Sequence, residues 1–255
     1  MTAVSNVELN VPRNTIYGFI GPNGAGKTTT LRMLATLLRP TAGEIKIDGI
    51  NAVDDPVAVR QRLGYLSDNF GLYDDLKVWE YLDYYSGAYN VESSTDSLNG
   101  ILDLVQLTHK SDELVGRLSR GMRQRLGIAR MLVYEPKVIL LDEPANGLDP
   151  IARIALRDLL KTLRDRGTTI IVSSHILTEL SDMCDTVGIM ELGKLVVSGS
   201  IETILAQTRS HYLLNLEVLG PPEKALEILQ GEPSIIDLRI ENGKLLMGFT
   251  GTRED

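Results

Sequence analysis

Ile16-Tyr17-Gly18-Phe19-Ile20-Gly21-Pro22-Asn23-Gly24-Ala25-Gly26-Lys27-Thr28-Thr29 decides the fold. Its first five residues form an apolar run suited to a buried strand. The next eight match GxxxxGK[ST], and the chain after Thr28 takes up helical spacing. Strand, glycine-rich loop and helix in that order make a P-loop. The loop of Gly21, Pro22, Asn23, Gly24, Ala25 and Gly26 wraps closely, so that backbone N–H groups and the positive end of the following helix face phosphate oxygens. Lys27 is placed to reach the β and γ phosphates, and the Thr28 hydroxyl to ligate Mg²⁺. Thr29, next along the helix, is grouped with the phosphate-binding residues.

Working outward, short β-branched runs at 16–20, 43–47, 137–141, 168–172 and 186–190 read as strands separated by amphipathic stretches. That alternation predicts an α/β fold, a P-loop NTPase with a mostly parallel central sheet. Between about Asp74 and Glu135 the strand signal fades, and 78–89, 95–106 and 119–134 carry helical spacing, which predicts an α-helical insertion. Pro221 and Pro222 follow a strand candidate at 212–218 and precede a helix at 223–229 and strands around Ile235 and Leu245. The chain therefore divides into a main domain over 1–207 and a short α+β appendix over 208–255.

Composition narrows the function. Hydrophobic residues make up 43% and charged residues 24% of the 255, the balance of a globular chain that folds by itself. Lys and Arg total 26 against 34 Asp and Glu, a net charge of −8, which opposes nucleic acid as the main partner. The five arginines between Arg117 and Arg130 read as a solvated or ion-paired helix face. A lone cysteine, Cys184, excludes an intrachain disulfide and fits a cytoplasmic setting. No apolar run approaches the roughly 18–20 residues that span a bilayer, and no signal peptide is recognisable, so any membrane role is expected through a partner.

The second chemical signal is Val138-Ile139-Leu140-Leu141-Asp142-Glu143, an apolar strand ending in paired carboxylates. Such acids at the carboxyl end of a central strand open into the ligand crevice of α/β sheets. Asp142 is expected to hold Mg²⁺. Glu143, turned the other way by strand alternation, is expected to polarise a water aimed at the γ phosphate.

Together with Leu118-Ser119-Arg120-Gly121-Met122-Arg123-Gln124-Arg125 before the acids, and Asn146-Gly147-Leu148-Asp149 and His175 after them, the chain resembles the ATP-binding subunit of ABC transporters over about residues 3–205. The resemblance implies that Ser119 and Gly121, at a helix N-terminus, close over the γ phosphate held by a second copy or a homologous subunit, so that two ATP molecules join a head-to-tail dimer. Arg120 and Met122 stand where Gly and Gln are commonest. His175 matches the switch histidine that contacts the γ phosphate, and Asp149 the aspartate that couples the two sites. Ser119 also reads as a plain N-cap, and Asp149 before Pro150 as another. His109 and His211 lack such context. Asp68, in Gly64-Tyr65-Leu66-Ser67-Asp68, falls where the family places a glutamine and still offers oxygen to Mg²⁺ or a water. The aromatic that stacks on adenine in the family would fall before Met1, which predicts weakened adenine preference.

The resemblance further implies a separate transmembrane permease that the subunit drives from the inner face of the cell membrane. The signature and the appendix are most similar to type 2 exporters of drugs or glycans, so export of a drug, glycan or lipid-like substrate is expected. Rings at Trp79, Tyr81, Tyr84, Tyr85 and Tyr89 are expected mostly in the core of the insertion, with one or two toward the permease. The rival is a soluble ABC-type ATPase acting on nucleic acid or ribosomes, but the long coiled coils, zinc motifs or second cassette of such proteins are not in the sequence.

Overall fold

The computed structural model describes residues 2–204, 212–218, 220–232, 234–241 and 244–249. The chain separates into two units, Met1–Ser198 and Gly199–Asp255. The boundary expected at 207/208 and His211 lie outside the described residues.

The first unit contains β1 (Ile16–Ile20), α1 (Lys27–Leu34), β2 (Lys46–Ile47), β3 (Ile50–Asn51), α2 (Pro56–Arg60) and β4 (Leu63–Leu66). There follow α3 (Val78–Ala88), α4 (Thr95–Leu104), α5 (Arg120–Leu132), β5 (Val138–Leu141) and α6 (Pro150–Asp165). Next come β6 (Thr169–Ser174), α7 (Leu177–Ser181), β7 (Thr186–Glu191) and β8 (Lys194–Ser200), the last crossing into the second unit. Six strands form one sheet in the order β4-β5-β6-β1-β7-β8. The pairs β4–β5, β5–β6, β6–β1 and β1–β7 are parallel.

Ile16, Phe19, Ile139, Leu140, Leu141, Ile170 and Val187 are wholly buried, which is why β1, β5 and β6 read as continuous apolar runs rather than alternating ones. In the parallel register Leu141 lies beside Val172, and Ile20 beside Ser174. The carboxyl ends of β1, β5 and β6 consequently finish side by side, and the residues that follow them share one edge of the sheet.

Two local readings change. A strand was expected over 43–47, but only Lys46–Ile47 is extended. Gly43 turns left-handed at φ 96°, and Asp48-Gly49, both at positive φ, folds β2 back onto β3 as a type I′ hairpin. A second hairpin, through Leu192-Gly193, adds β8 to the sheet edge, a strand the sequence reading did not anticipate.

The insertion is helical, with α3 and α4 packed on α5. Tyr81 is fully buried, and its ring lies 4.9 Å from that of Tyr85, while the rings of Tyr89 and Tyr134 are 4.1 Å apart. Trp79, Tyr84 and Tyr89 keep an exposed edge. Of the arginines expected on a solvated or ion-paired face, Arg117 pairs with Glu113 and Arg123 with Asp74. Arg125 and Arg130 depart from that expectation: the first donates to the Val105 carbonyl at 2.7 Å, and the second lies against Tyr81, Tyr85 and Phe70.

In the second unit β9 (Tyr212–Leu216), α8 (Pro222–Leu229), β10 (Ile235–Glu241) and β11 (Lys244–Phe249) give an antiparallel sheet in the order β10-β11-β9, with α8 against β10 and β11.

Candidate functional site

The loop between β1 and α1 is built to bring backbone close to a ligand. Gly26, the N-cap of α1, has φ 106°, and a Cβ there would lie 2.8 Å from the Ala3 carbonyl oxygen, so a side chain is excluded both by conformation and by space. Pro22, Asn23 and Gly24 are exposed, and Thr28 and Thr29 are half-buried in the first turn of the helix.

Lys27 is 5% exposed and bent back over this loop. Its Nζ donates to the Gly21 carbonyl at 2.5 Å and to the Pro22 carbonyl at 3.2 Å, and lies 3.3 Å from Glu143 Oε1. A buried ammonium needs partners of this kind.

Asp142 and Glu143 follow β5 directly. Asp142 is buried, its amide tied to the Leu66 carbonyl at 2.9 Å. Its Oδ1 accepts a 2.7 Å hydrogen bond from the Ser173 hydroxyl, and the same hydroxyl oxygen accepts from the Glu143 amide at 2.9 Å. Ser173 is wholly buried near the end of β6 and so fixes both acids at once. The sequence reading missed it. The direction of Glu143 was ascribed to strand alternation, but β5 stops at Leu141 and Glu143 has φ 47°, so the turn and the Ser173 bond set its direction instead. Its Oε2 meets His175 Nδ1 at 2.9 Å. Lys27, Glu143 and His175 thus form one chain of contacts along the edge of the sheet.

These groups open into a crevice of about 740 Å³, within the range of small-molecule sites. Asp68 and Asn146 stand on the same side, Asn146 Nδ2 donating to Asp68 Oδ1 at 3.5 Å. A cleft of about 760 Å³ lies elsewhere, beside Lys137 and Thr168 at the amino ends of β5 and β6. The first cleft lies at the carboxyl ends of the strands, where sheets of this kind present their ligand sites.

Ser119, Gly121 and Asp149 are not part of this crevice. Ser119 caps α5, accepting from the Met122 amide at 3.3 Å. Gly121 abuts α6, where an added Cβ would lie 2.6 Å from that of Ala152. Asp149 caps α6, accepting from the Ala152 amide at 2.9 Å, with Pro150 in the first turn. The two helix tips therefore lie against one another, with the Ser119 side of α5 exposed.

The arrangement suits a polyphosphate and the activation of a water beside it. No cluster of three or more acid, His or Cys ligands occurs among the described residues. Mg²⁺ needs no such cage, since it keeps waters and takes one or two carboxylates together with substrate phosphates, and the oxygen donors of Asp142, Asp68 and Thr28 are of the kind it takes.

Similarity to known proteins agrees with this chemistry. The ABC transporter family profile matches residues 4–146. The bacitracin transport ATP-binding protein BcrA of Bacillus licheniformis is 36% identical over 97% of this chain and 80% of its own length. The daunorubicin resistance ATP-binding protein DrrA3 of Streptomyces coeruleorubidus is 36% identical over 81% of this chain and 66% of its own. A dimeric ATP-binding cassette solved in a post-hydrolysis state with ADP and Pi superposes with a TM-score of 0.68 at 27% identity, covering 78% of this chain and 90% of the other.

Proposed function

We propose a mechanism from one premise: the chain belongs to the ABC transporter family and is an ATP-binding, ATP-hydrolysing subunit. The loop Gly21, Pro22, Asn23, Gly24, Ala25 and Gly26 cradles the phosphates through its amides. Lys27 takes the β and γ phosphates, with Thr28 and Thr29 at the helix tip. Thr28 and Asp142, with Asp68 through an oxygen or a water, would hold Mg²⁺, which would supply neutralising charge to the phosphates. Glu143 takes a proton from a water as the water oxygen bonds to the γ phosphorus and the bond to the β-phosphate oxygen breaks, giving ADP and phosphate. His175 holds Glu143 and faces the γ phosphate.

A second copy or a homologous subunit supplies Ser119 and Gly121 to this site, and Asp149 links the two sites. The exposed tip of α5 supports that reading, because a single chain does not bring these residues to its own crevice. No described helix is long and apolar enough to cross a membrane. Work across one passes to a separate permease, against which the subunit sits on the inner face, a reading supported by relatives named as transport ATP-binding proteins. Export of a drug, glycan or lipid-like substrate is the direction we favour, supported by relatives named for bacitracin transport and daunorubicin resistance.

The observation that carries the mechanism is the Lys27–Glu143–His175 chain at the mouth of the phosphate loop. Its test is Glu143→Gln. Phosphate release should fall about 10²–10⁴-fold while ATP is still bound, and ATP should shift the variant to a dimer in size-exclusion chromatography. Hydrolysis at the wild-type rate would remove Glu143 from the mechanism.

A further inference from the structure

The residues lining the crevice fall into two chemically different groups. Lys27, Glu143 and His175 touch one another and form the polar group, whereas Thr2, Ala3, Leu192 and Gly193 are uncharged, with Gly193 bonded to Ala25 of the phosphate loop. A nucleotide whose terminal phosphate faces Glu143 must direct its nucleoside away from that carboxylate, which leaves the uncharged group to receive it.

Leu192 is the residue there that the fold does not require. It is the first of the two hairpin residues between β7 and β8, at φ 47°, followed by Gly193 at φ 78°. A type I′ turn of this kind favours Asn, Asp or Gly at both places, because a left-handed backbone crowds any larger side chain. Packing does not compensate, since Leu192 is 86% exposed. The turn is nevertheless held firmly: the Gly193 amide donates to the Ala25 carbonyl at 2.9 Å, and the Gly193 carbonyl accepts from the Ser5 amide at 2.7 Å. An apolar side chain is thus fixed to the phosphate loop itself, strained and in water, at the rim of the crevice.

We infer that Leu192 is the apolar platform on which the base of the bound nucleotide rests. The inference builds on the phosphate-loop reading above and extends it to the other half of the ligand. Aliphatic carbon against a ring face gains contact area and sheds water from both surfaces. It offers no hydrogen-bond pattern, so it favours the larger purines over pyrimidines and does not separate adenine from guanine.

The test is Leu192→Asn, because Asn accepts a left-handed backbone and removes the apolar surface. Binding of ATP, GTP, CTP and inorganic tripolyphosphate to both proteins, with magnesium, is measured by calorimetry, alongside the melting temperature without ligand. ATP and GTP affinity should fall together by roughly three- to tenfold and CTP affinity by less. Tripolyphosphate affinity should stay equal, and the ligand-free melting temperature should hold or rise. Unchanged ATP affinity, with tripolyphosphate bound by both proteins, overturns the role of Leu192 and leaves the phosphate loop intact. An equal loss for ATP and tripolyphosphate also overturns it, by placing the effect on the loop. Failure of the wild-type chain to bind tripolyphosphate strikes the phosphate-loop reading instead.

Discussion

Lys27, at the head of α1, and Arg130, in the last turn of α5, each set a positive charge within the first unit, but their surroundings differ in kind. Lys27 touches two loop carbonyls and one carboxylate, and of these partners Pro22 and Glu143 line the crevice. Arg130 touches the hydroxyls of Tyr81 and Tyr85 at 3.3 and 3.5 Å and lies 5.7 Å from the centre of the Phe70 ring and 5.4 Å from that of Tyr85. Burial raises the Tyr81 phenol well above its usual pKa, so that ring stays neutral at any physiological pH. Lys27 is met by oxygens alone, whereas Arg130 is met chiefly by rings, that of Tyr81 buried and those of Tyr85 and Phe70 half-buried. In the proposed mechanism the cation that meets the ligand is held by oxygens, and the one inside the helical insertion is held by rings.

The sharpest way to break this contrast is Lys27→Ala. Losing a charge-assisted contact to phosphate should weaken ATP binding about 10- to 100-fold by calorimetry, with little change in the melting temperature of the ligand-free chain. Unaltered affinity would show that the loop amides alone hold the nucleotide. Next in size is Ser173→Ala, which leaves Asp142 without its donor and the Glu143 amide without its acceptor. It should cost about 1–3 kcal/mol in urea unfolding and lower turnover, and Ser173→Thr, which keeps the hydroxyl, should restore much of both.

Arg130→Met keeps the aliphatic stem and drops the charge. We expect a loss of about 1–2 kcal/mol, read as a melting point a few degrees lower, with ATP affinity equal to wild type. A large fall in affinity would mean that the aromatic layer is part of the binding machinery after all. The smallest effect concerns Cys184, whose thiol is raised in pKa by burial and then by the Asp185 charge. A raised pKa means less thiolate at any given pH, so maleimide labelling of the folded chain at pH 7 should be slow and should speed up on unfolding in urea.

The two regions were not equally readable from sequence. Gly21 to Thr28 and Asp142-Glu143 declare themselves because spacing along one segment carries their chemistry, and the structure places Lys27 and Glu143 in contact. Ser173 does not, because its role arises only when β5 and β6 pair in register and bring the residues after Leu141 beside it. The hairpin turns at Asp48-Gly49 and Leu192-Gly193 split in the same way: the first carries a recognisable turn dipeptide, and the second hides behind a leucine. The fate of the arginines is likewise invisible locally. Helical spacing makes a row of charges, but neighbours from α3 and α4 decide that Arg130 meets rings and that Arg125 meets the Val105 carbonyl.

The contact between Lys27 and Glu143 has a consequence for affinity. The ammonium lies 3.3 Å from the carboxylate, so in the proposed mechanism the group that deprotonates the water and the γ phosphate share one cation. The carboxylate is then also a built-in competitor of the substrate. A neutral amide at position 143 removes that competition, so the chain that turns over least should grip its nucleotide most tightly.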